Sequence, residues 1–365
     1  MKSYSFMMDQ NTGRNLRVAL VGFGLGGESF HAPLIAATPG MTLATIVTSN
    51  EERVRRAGRT YPKARIIASV KSLWEQAADH DLVVITTPNR YHAALALDAL
   101  AAGLPVVVDK PFARSSAEAL RVIQFAREKG LPVIPYHNRR WDSEYLTLRR
   151  LIDAGTLGRI FRFESRFERW RPQLKGGWRE RGESDEAGGL LYDLGTHLID
   201  QALALFGPVR QVYAELVLRR PGVQTDDDVF VALTHVNGVR SHLWTSVVAA
   251  HFGPRMRVLG EHGAFVKQDA DPQEAALRSG KIPVGPDWGV ESPDAWGFVT
   301  DGTRKHSVRS EPGAYQNFYA GIAAMLRGAA PPPVLPEDAV AGLQIIEAAQ
   351  RSAAEHRVIA LNSES

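Results

Sequence analysis

Short apolar runs, rich in β-branched residues, alternate with amphipathic stretches through the first part of the chain. The runs are LRVALVG (16–22), TLATIVTS (42–49), ARIIA (64–68), DLVVITTP (81–88), PVVVDKP (105–111) and LPVIPYHN (131–138). Continuous apolar runs of this length are typical of strands buried on both faces of a parallel sheet. Since crossovers between parallel strands are right-handed, the alternation predicts an α/β fold that begins with a doubly wound Rossmann sheet.

The pattern changes in the second half of the chain. The stretch RIFRFESRFER (159–169) alternates apolar and polar residues, which indicates a strand with one covered face. Asn237-Gly238 stands between two further runs and predicts a hairpin, and 254–268 has the pattern of another strand pair. Residues 269–312 show little periodicity. Helices are predicted at 141–155, 190–203, 315–328 and 337–356. This half is therefore predicted to be an α+β domain with a large, mainly antiparallel sheet.

These patterns predict three segments. Residues 1–15 are expected to be a disordered leader, 16–137 a dinucleotide-binding Rossmann domain, and 138–365 a substrate-binding and oligomerisation domain. The closing helix at 336–356 is a candidate to pack back on the N-terminal domain. Because a large antiparallel sheet must cover or wet its second face, we expect a homodimer or homotetramer formed through the C-terminal sheet.

Composition excludes several classes of protein. The chain has 365 residues, of which 44% are apolar and 23% charged, as in globular proteins. Its net charge is only +3 despite a pI of 9.1, and its arginines are scattered, so we expect no nucleic-acid partner. It contains no cysteine, no apolar run long enough to span a membrane and no signal-peptide pattern at its start, and we expect a cytoplasmic protein without a membrane partner.

A glycine-rich motif, GFGLGG, follows the first predicted strand and opens the first helix. Its glycines are Gly22, Gly24 and Gly27. In this context the G-x-G-x-x-G spacing predicts a dinucleotide site, because glycines let the backbone approach a pyrophosphate at the helix N-terminus. A tight turn without a ligand is the alternative interpretation.

The end of the second strand bears on which dinucleotide is bound. NAD sites usually place a carboxylate there for the ribose 2′-hydroxyl, whereas this chain has Thr48, Ser49 and Asn50, followed by Arg53. Hydroxyls and an arginine favour a 2′-phosphate. The sequence therefore favours NADP, with NAD as the alternative, and Arg53, Arg55 and Arg56 could equally form a solvated helix face.

The segment LLYDLGTHLIDQAL (190–203) is predicted to be a helix with three titratable residues on one side. At 100° per residue, Asp193, His197 and Asp200 fall on one stripe, while leucines take another. Gly195 lies in the helix interior, where glycine costs about 1 kcal/mol relative to alanine, so a ligand or tight packing is expected beside it. A buried His197 satisfied by Asp193 is the alternative to a site. A metal would need further ligands nearby, and none is predicted.

Lys110, in VVVDKPF, stands at the carboxyl end of the fifth strand, where open α/β sheets bind their ligands. An ammonium on so apolar a strand must reach water or a ligand. A lysine that merely ends a strand is the alternative, and the following Pro111 is a candidate for a cis bond. Other residues expected around this crevice are Thr87, Pro88, Asn89 and His92 after the fourth strand, and Asn138 and Arg139 after the sixth.

Taken together, these motifs resemble the Gfo/Idh/MocA family of NAD(P)-dependent oxidoreductases. The family has G-x-G-x-x-G, then E-K-P, then G-G-x-x-x-D-x-G-x-H, and this chain has GFGLGG, DKP and GGLLYDLGTH in that order. Asp109 replaces the glutamate and keeps its charge. Within the family the chain is most similar to the NADP-dependent scyllo-inositol 2-dehydrogenase group, through GFGLGGESFHAPL, YHNRRWD, RWRPQLKGGWRE and LYDLGTHLIDQ.

The resemblance implies roles for individual residues. Lys110 would contact the substrate hydroxyl and lower its pKa, His197 would be the general base, and Asp193 would orient His197 or hold a neighbouring hydroxyl. The cofactor-binding residues would be Gly22, Phe23, Gly24, Gly27, Ser49, Asn50, Arg53, Thr87, Pro88, Asn89, His92, Asp109 and Lys110. The substrate-binding residues would be Asn138, Arg139, Trp178, Arg179, Tyr192, Asp193 and His197, with Trp170 and Arg171 on the same loop as Trp178.

The sequence thus predicts an NADP-dependent oxidoreductase that acts on a CH–OH group of a cyclitol or sugar. A protein that senses NAD(P)H without catalysis is the alternative, since a fold does not determine a function. A sensor would have no need of the complete set of Lys110, Asp193 and His197.

Overall fold

The computed structural model describes residues 13–177, 180, 182 and 186–361. The strands are β1 (Leu16–Val21), β2 (Met41–Val47), β3 (Arg65–Ile67), β4 (Leu82–Ile85), β5 (Val106–Val108), β6 (Val133–Pro135), β7 (Ile160–Glu168), β8 (Val209–Val217), β9 (Asp228–His235), β10 (Arg240–Ser246), β11 (Met256–Gly260), β12 (Gly263–Lys267), β13 (Gly297–Thr300), β14 (Lys305–Val308) and β15 (Ile359–Ala360). The α-helices are α1 (Ala32–Ala37), α2 (Glu51–Thr60), α3 (Val70–Trp74), α4 (His92–Ala101), α5 (Ser116–Lys129), α6 (Ser143–Asp153), α7 (Thr196–Phe206), α8 (Gln273–Arg278), α9 (Gln316–Leu326) and α10 (Pro336–Glu355).

The chain divides into two compact units. Unit 1 contains residues 13–138, Gln273–Trp288 and Ala314–Ala339, and unit 2 contains Arg139–Pro272, Gly289–Gly313 and 340–361. The predicted boundary assigns everything after 137 to one domain, whereas here two later segments join the first unit. Hydrogen bonds hold these segments together: the Gln273 side chain accepts from the Trp288 indole and from the Tyr315 backbone, and Tyr319 pairs with His31 of the first segment.

Unit 1 is built on a parallel sheet with the strand order β3-β2-β1-β4-β5-β6. This order is that of a doubly wound Rossmann fold, and the predicted fold is confirmed. The central strands β1, β4 and β5 are almost completely buried, which explains their unbroken apolar character. Helix α5 begins at Ser115, whose hydroxyl accepts from the Glu118 backbone, and ends at Gly130 in the left-handed conformation.

Unit 2 is built on a mixed sheet with the order β14-β13-β12-β11-β7-β10-β9-β8-β15. The pair β7–β10 is parallel and the remaining pairs are antiparallel, so the predicted mainly antiparallel sheet is confirmed. Alternate residues of β7, β9 and β10 are buried against one face. Phe163 of β7 contacts Phe206 of α7 with ring centroids 5.3 Å apart, which places α7 over this buried face.

Two regions differ from the sequence prediction. Residues 269–312 contain α8, β13 and β14, although no element is predicted there. These elements are only four to six residues long, which is too short for any of the three to show a periodic pattern. In addition, β14 lies exposed at the sheet edge. The predicted helix from 190 begins with a π-helical turn at Leu191–Gly195, so 100° per residue does not describe its first part.

No helix in the described part of the chain is both long and apolar enough to cross a lipid bilayer.

Candidate active site

The glycine loop of unit 1 requires glycine at two positions for different reasons. Gly22 has a φ of +99°, and a Cβ on it would lie 2.9 Å from the Thr86 carbonyl oxygen. A Cβ on Gly27 would overlap the Gly22 carbonyl oxygen itself. The Thr86 hydroxyl donates to that carbonyl over 2.8 Å, so β4 holds the loop closed against β1. The turn that follows, Gly26–His31, is π-helical.

The middle glycine of the motif faces open space. Around a Cβ built on Gly24, the nearest atoms belong to the Arg53 guanidinium, the closest at 3.9 Å. Asn50 caps helix α2 by accepting from the Arg53 backbone N–H over 3.1 Å, and Ser49 is exposed. Phe23 is buried and packs edge-on against Tyr61. A loop that is open at its middle glycine and flanked by a guanidinium suits a phosphate-bearing ligand.

The arginines of α2 differ in their partners. Arg55 lies 3.8 Å from Glu51, and Arg56 pairs with Glu28 at 3.1 Å and with Glu52 at 3.2 Å. Within the described ranges, the Arg53 guanidinium has no ion pair. Of the three arginines singled out in the sequence, Arg53 alone therefore combines proximity to Gly24 with a charge not committed to a carboxylate.

His92 connects the ends of β4 and β5. Its Nδ1 lies 2.8 Å from the Pro111 carbonyl oxygen and its Nε2 lies 2.8 Å from the Thr87 carbonyl oxygen. Burial lowers the pKa of His92, against the charge of Asp109. The ring is 1% exposed, so its contacts support the two loops rather than reach outward. Pro88 is half-buried and Asn89 is buried beside them. The Thr87 hydroxyl is buried and, in the described part of the chain, lacks a hydrogen-bond partner.

Lys110 follows β5 and precedes a cis peptide bond to Pro111. Its backbone N–H donates to Asp109 Oδ1 over 2.8 Å. The other carboxylate oxygen, Oδ2, lies 3.0 Å from where a Gly26 Cβ would stand, so Asp109 adjoins the glycine loop. Burial raises the pKa of Asp109, but His31 and the charges of Lys110 and His92 outweigh it, and the net pKa is lowered.

In unit 2, the predicted titratable stripe is divided between two environments. Asp193 is half-buried in the π-helical turn, and His197 is 5% exposed at the start of α7. Asp200 accepts two hydrogen bonds from Arg140, at 2.9 and 2.7 Å, so it is held in a buried ion pair. This ion pair gives Asp200 a structural role.

A buried network of charges lies under α7. Arg255 is 3% exposed and contacts Glu144 at 2.9 Å and Asp142 at 3.6 Å. Its guanidinium and that of Arg139 both lie over the Phe167 ring, at 3.9 and 4.5 Å, and His197 meets Phe167 edge-on at 6.5 Å. These contacts fix the ring against which His197 packs.

The same network holds α7 in place through the side chain of Gln201. Gln201 of α7 donates to the Arg139 carbonyl oxygen over 2.7 Å, and its Oε1 accepts from Arg255 over 3.2 Å. Removing Arg255 would leave the buried Glu144 carboxylate without this ion pair, whereas Asp142 would keep Arg139, and a buried charge that loses its partner is strongly destabilising.

Asp226, in the loop before β9, holds the first turn of the His197 helix. Its Oδ2 accepts from the Leu191 N–H over 2.7 Å, and its carbonyl accepts from the Leu190 N–H over 2.9 Å. A Cβ on Gly189, whose φ is +86°, would overlap Asp226 Oδ1. The second glycine of GGLLYDLGTH is therefore required by this close approach. Burial, with only partial compensation from these hydrogen bonds, raises the pKa of Asp226 to about 6.

The remaining predicted substrate residues lie as follows. Asn138 and Tyr192 are buried, and Arg139 is buried with its guanidinium 3.5 Å from Asp142. Trp170 is 54% exposed, and the Arg171 backbone donates to Val247. The predicted substrate residues Trp178 and Arg179 lie outside the described residues.

Several residues of the site carry no signal in the sequence pattern. These supporting residues are Thr86, Tyr319, Asp226 and Arg255. Each acts through a contact that is distant in sequence, such as the 288 positions separating His31 from Tyr319.

Two family models match the chain. Residues 16–137 match the model described as an oxidoreductase family with an NAD-binding Rossmann fold, and residues 145–266 match the GFO/IDH/MocA C-terminal domain. Unit 1 therefore carries an NAD(P)-binding Rossmann domain.

Known proteins resemble the chain over nearly its full length. It is 39% identical to the oxidoreductase YdgJ of Escherichia coli over 94% of this chain and 97% of that one. It is 33% identical to the scyllo-inositol 2-dehydrogenase (NADP(+)) IolW of Bacillus subtilis, covering 95% and 96% of the two chains. The solved structure of the Bacillus subtilis oxidoreductase yvaA matches with a TM-score of 0.90 and 33% identity, covering 96% and 99%.

We expect Asp226→Asn to stabilise the chain at neutral pH. A carboxyl whose pKa is raised to about 6 binds its proton more tightly in the folded state, so its contribution to stability falls as pH rises from about 4 to 6. Asparagine still accepts from Leu191 without a buried charge. The free energy of unfolding should therefore rise by about 1–3 kcal/mol above pH 6, with little difference below pH 4. Thermal unfolding of both proteins at pH 4 and 7.5 measures this.

Asp227→Asn is the matched control. Asp227 pairs with Arg220 at 2.8 Å, so the same substitution one residue away should lower the unfolding temperature at pH 7.5. A lower unfolding temperature of Asp226→Asn at pH 7.5, like that expected of Asp227→Asn, would contradict the assigned environment of Asp226.

Proposed function

Since the chain belongs to the GFO/IDH/MocA family of oxidoreductases, we propose that it is an NADP-dependent dehydrogenase that oxidises a CH–OH group of a cyclitol or sugar. The observation that carries the proposal is the contact between Asp109 and the glycine loop. This contact ties Lys110, a candidate to bind a substrate hydroxyl, directly to the dinucleotide-binding motif in one unit.

The residues present fit a dinucleotide. Gly22 and Gly27 close the loop, Gly24 leaves its centre open, and the buried Thr87 hydroxyl is available as a hydrogen-bonding group. The nicotinamide supplies a hydride acceptor when the cofactor is bound. The adenosine end of the cofactor would be held by Ser49, Asn50 and Arg53. Its nicotinamide end would be held by the Thr87–Asn89 segment and by Asp109 and Lys110.

Two observations favour NADP over NAD. The chain between β2 and α2 offers hydroxyls and an amide where a carboxylate would repel a 2′-phosphate. Arg53 lies against the loop with a guanidinium that could make a charge-assisted bond to that phosphate. The relative IolW is named as an NADP(+) enzyme, which agrees with this preference.

The chemistry requires a hydride to leave the substrate carbon and a proton to leave its hydroxyl. The Lys110 ammonium would donate a hydrogen bond to the substrate oxygen and stabilise the negative charge that develops there. His197 would accept the hydroxyl proton through one ring nitrogen, since an imidazole titrates near neutral pH. Asp193 would orient His197 or bind an adjacent hydroxyl. In the reverse direction His197 returns the proton.

The substrate class follows from the family and from the polar character of these residues. Lys110 of unit 1 and His197 and Asp193 of unit 2 would supply donors and acceptors for vicinal hydroxyls, which a cyclitol or sugar provides. The name of IolW, a scyllo-inositol dehydrogenase, makes scyllo-inositol the first substrate to test.

A cytoplasmic location remains a prediction.

The catalytic assignment predicts that Lys110→Met and His197→Asn lower kcat strongly. General acid–base help is worth about 10²–10⁴ in rate, so each variant should lose kcat within that range. The Kd for NADP⁺ should stay within about twofold, because neither side chain supplies the main contacts to the phosphates. Absorbance at 340 nm with scyllo-inositol and a panel of polyols measures turnover, and fluorescence titration measures binding.

Lys71→Met and His306→Asn, two changes at exposed side chains, are the controls and should keep wild-type kcat. Wild-type kcat in either catalytic variant would remove the role assigned to that residue. Intact NADP⁺ binding without turnover of any polyol by the wild type would instead favour a non-catalytic NAD(P)H sensor.

The cofactor assignment predicts that Arg53→Ala lowers the ratio of kcat/KM for NADP⁺ over NAD⁺ about 10- to 100-fold, the effect of one lost charge-assisted hydrogen bond. Arg55→Ala is the matched control. It lies two residues away on the same helix and already pairs with Glu51, so the ratio should change little. Steady-state kinetics with both cofactors measures the ratio. A wild-type ratio below one would refute NADP preference.

We also infer that the open face of the unit 2 sheet joins copies of this chain in a homodimer or homotetramer. Tyr213, Phe230, His242 and Trp244 form an aromatic ladder on this face, with Arg166 stacked 3.9 Å from Trp244. Glu164 and Arg257 add charges of both signs, as a face that pairs with itself requires.

Light scattering should therefore give a mass of two or four times 40.1 kDa. Phe230→Lys, in the middle of the ladder, should lower the mass toward one chain because it places a charge in the contact. Phe161→Lys, on the opposite face of the same sheet, should not. A wild-type mass of one chain would exclude the interface.

A further inference from the structure

A buried tyrosine–histidine pair stands behind Asp109 in unit 1. His31 ends the π-helical turn that follows the glycine loop, and Tyr319 belongs to α9. His31 Nδ1 and the Tyr319 hydroxyl oxygen lie 2.6 Å apart, and both side chains are fully buried. On the other side of the ring, His31 Nε2 lies 3.6 Å from Asp109 Oδ1. The three residues form a line that leads from the core to the residue before Lys110.

The aromatic surroundings hold this line in place. The His31 ring stacks on Tyr136 with centroids 4.0 Å apart, and Tyr136 in turn meets Phe318 edge-on at 4.8 Å. The Tyr136 hydroxyl donates to the Phe30 carbonyl, so it is committed elsewhere. His31 therefore has little freedom to turn away from Asp109.

The hydrogen-bond partners of the His31 ring indicate which of its two nitrogens carries the proton. Burial, followed by the charges of Tyr136 and Asp109, raises the pKa of Tyr319 well above the ordinary tyrosine value, so its hydroxyl keeps its proton. His31 Nδ1 is the hydrogen-bond partner found for that hydroxyl, and so Nδ1 accepts. In a neutral imidazole the proton then resides on Nε2, the nitrogen that faces Asp109.

Asp109 is the point at which these groups meet the loop of Lys110. The titratable and charged groups facing it are His31, Lys110 and His92, and Tyr319 lies behind His31. Asp109 Oδ1 also accepts from the Lys110 backbone N–H over 2.8 Å. A carboxylate fixed in this rotamer thus fixes the backbone from which the Lys110 side chain extends.

We propose that Tyr319 and His31 are positioning residues of the dehydrogenase reaction, which hold Asp109 as an anion in one rotamer and through it orient Lys110. This inference rests on the proposed function for the role of Lys110. Neither residue touches the reacting atoms, and each acts through the next residue in the line.

The first test reads the proton position without any activity. In the cofactor-free chain at pH 7.5, ¹⁵N spectra of the histidine rings should show His31 protonated at Nε2 and unprotonated at Nδ1, assigned by its loss in His31→Gln. Tyr319→Phe should abolish this single tautomer, because Nδ1 loses its donor. Tyr136→Phe removes a hydroxyl from the same aromatic cluster and should leave the His31 signal unchanged.

The second test is kinetic. Tyr319→Phe should lower kcat about tenfold, the effect of one lost hydrogen bond, with the KM for polyol and the Kd for NADP⁺ within about twofold. Tyr136→Phe should keep kcat within about twofold. If Tyr319 had only a structural role, Tyr319→Phe and Tyr136→Phe would both have lower unfolding temperatures and similar kcat values.

The third test uses the pH profile. His31→Leu removes the N–H directed at Asp109, so the pKa of Asp109 should rise and the acid limb of the kcat profile should move to higher pH. His31→Gln can still direct an amide N–H at the carboxylate and should retain most of the wild-type profile. Identical pH profiles of kcat for His31→Leu and His31→Gln would overturn the proposal.

Failure of this proposal is distinguishable from failure of the proposed function. An Nδ1-protonated or doubly protonated His31 in the wild type, or equal kcat in Tyr319→Phe and Tyr136→Phe, overturns the positioning pair while the enzyme remains active. A wild type that oxidises no polyol overturns the proposed function, and the ¹⁵N spectra then still decide whether Tyr319 sets the His31 tautomer.

Discussion

A charge buried without a partner costs several kcal/mol, and the candidate site residues of both units are arranged around that cost. In unit 2, Arg255 is enclosed with Glu144 and Asp142, and Arg140 with Asp200. In unit 1, Asp109 is surrounded by His31, Lys110 and His92. The same contacts that remove the cost also locate Lys110 and the helix of His197.

The two units solve this problem differently. In unit 2 the partners are full charges, and the network reaches α7 through Gln201 and Asp200 as well as through the ring of Phe167. In unit 1 the charge of Asp109 is met by the Lys110 backbone N–H, which donates to it, and by the His31 ring, 3.6 Å away.

The sequence allows much of the fold to be predicted, because its signals are local. Parallel strands buried on both faces appear as unbroken apolar runs, and the hairpin at Asn237-Gly238 needs only two residues to specify its turn. The short strands β13 and β14 escape prediction because each has only four residues, and β14 is exposed at the sheet edge. At the site, Gly22, Gly27, Asp109 and Lys110 belong to motifs, whereas Thr86, which holds the glycine loop, does not. Tyr319 and Asp226 act across long separations, which no periodicity encodes.

The π-helical turn at Leu191–Gly195 has a consequence for how this helix can vary among chains of different length. A turn of this kind contains one residue more than the α-helical turn it replaces, so a chain shorter by one residue here could remain helical throughout. The part after Gly195 is anchored by Gln201 and Asp200 and would stay packed on the sheet. The residues before it would rotate by about 100° about the axis, and a different side chain would take the place of Asp193. Length in this turn is therefore a means of changing which side chain occupies the position of Asp193 while the His197 imidazole stays where it is.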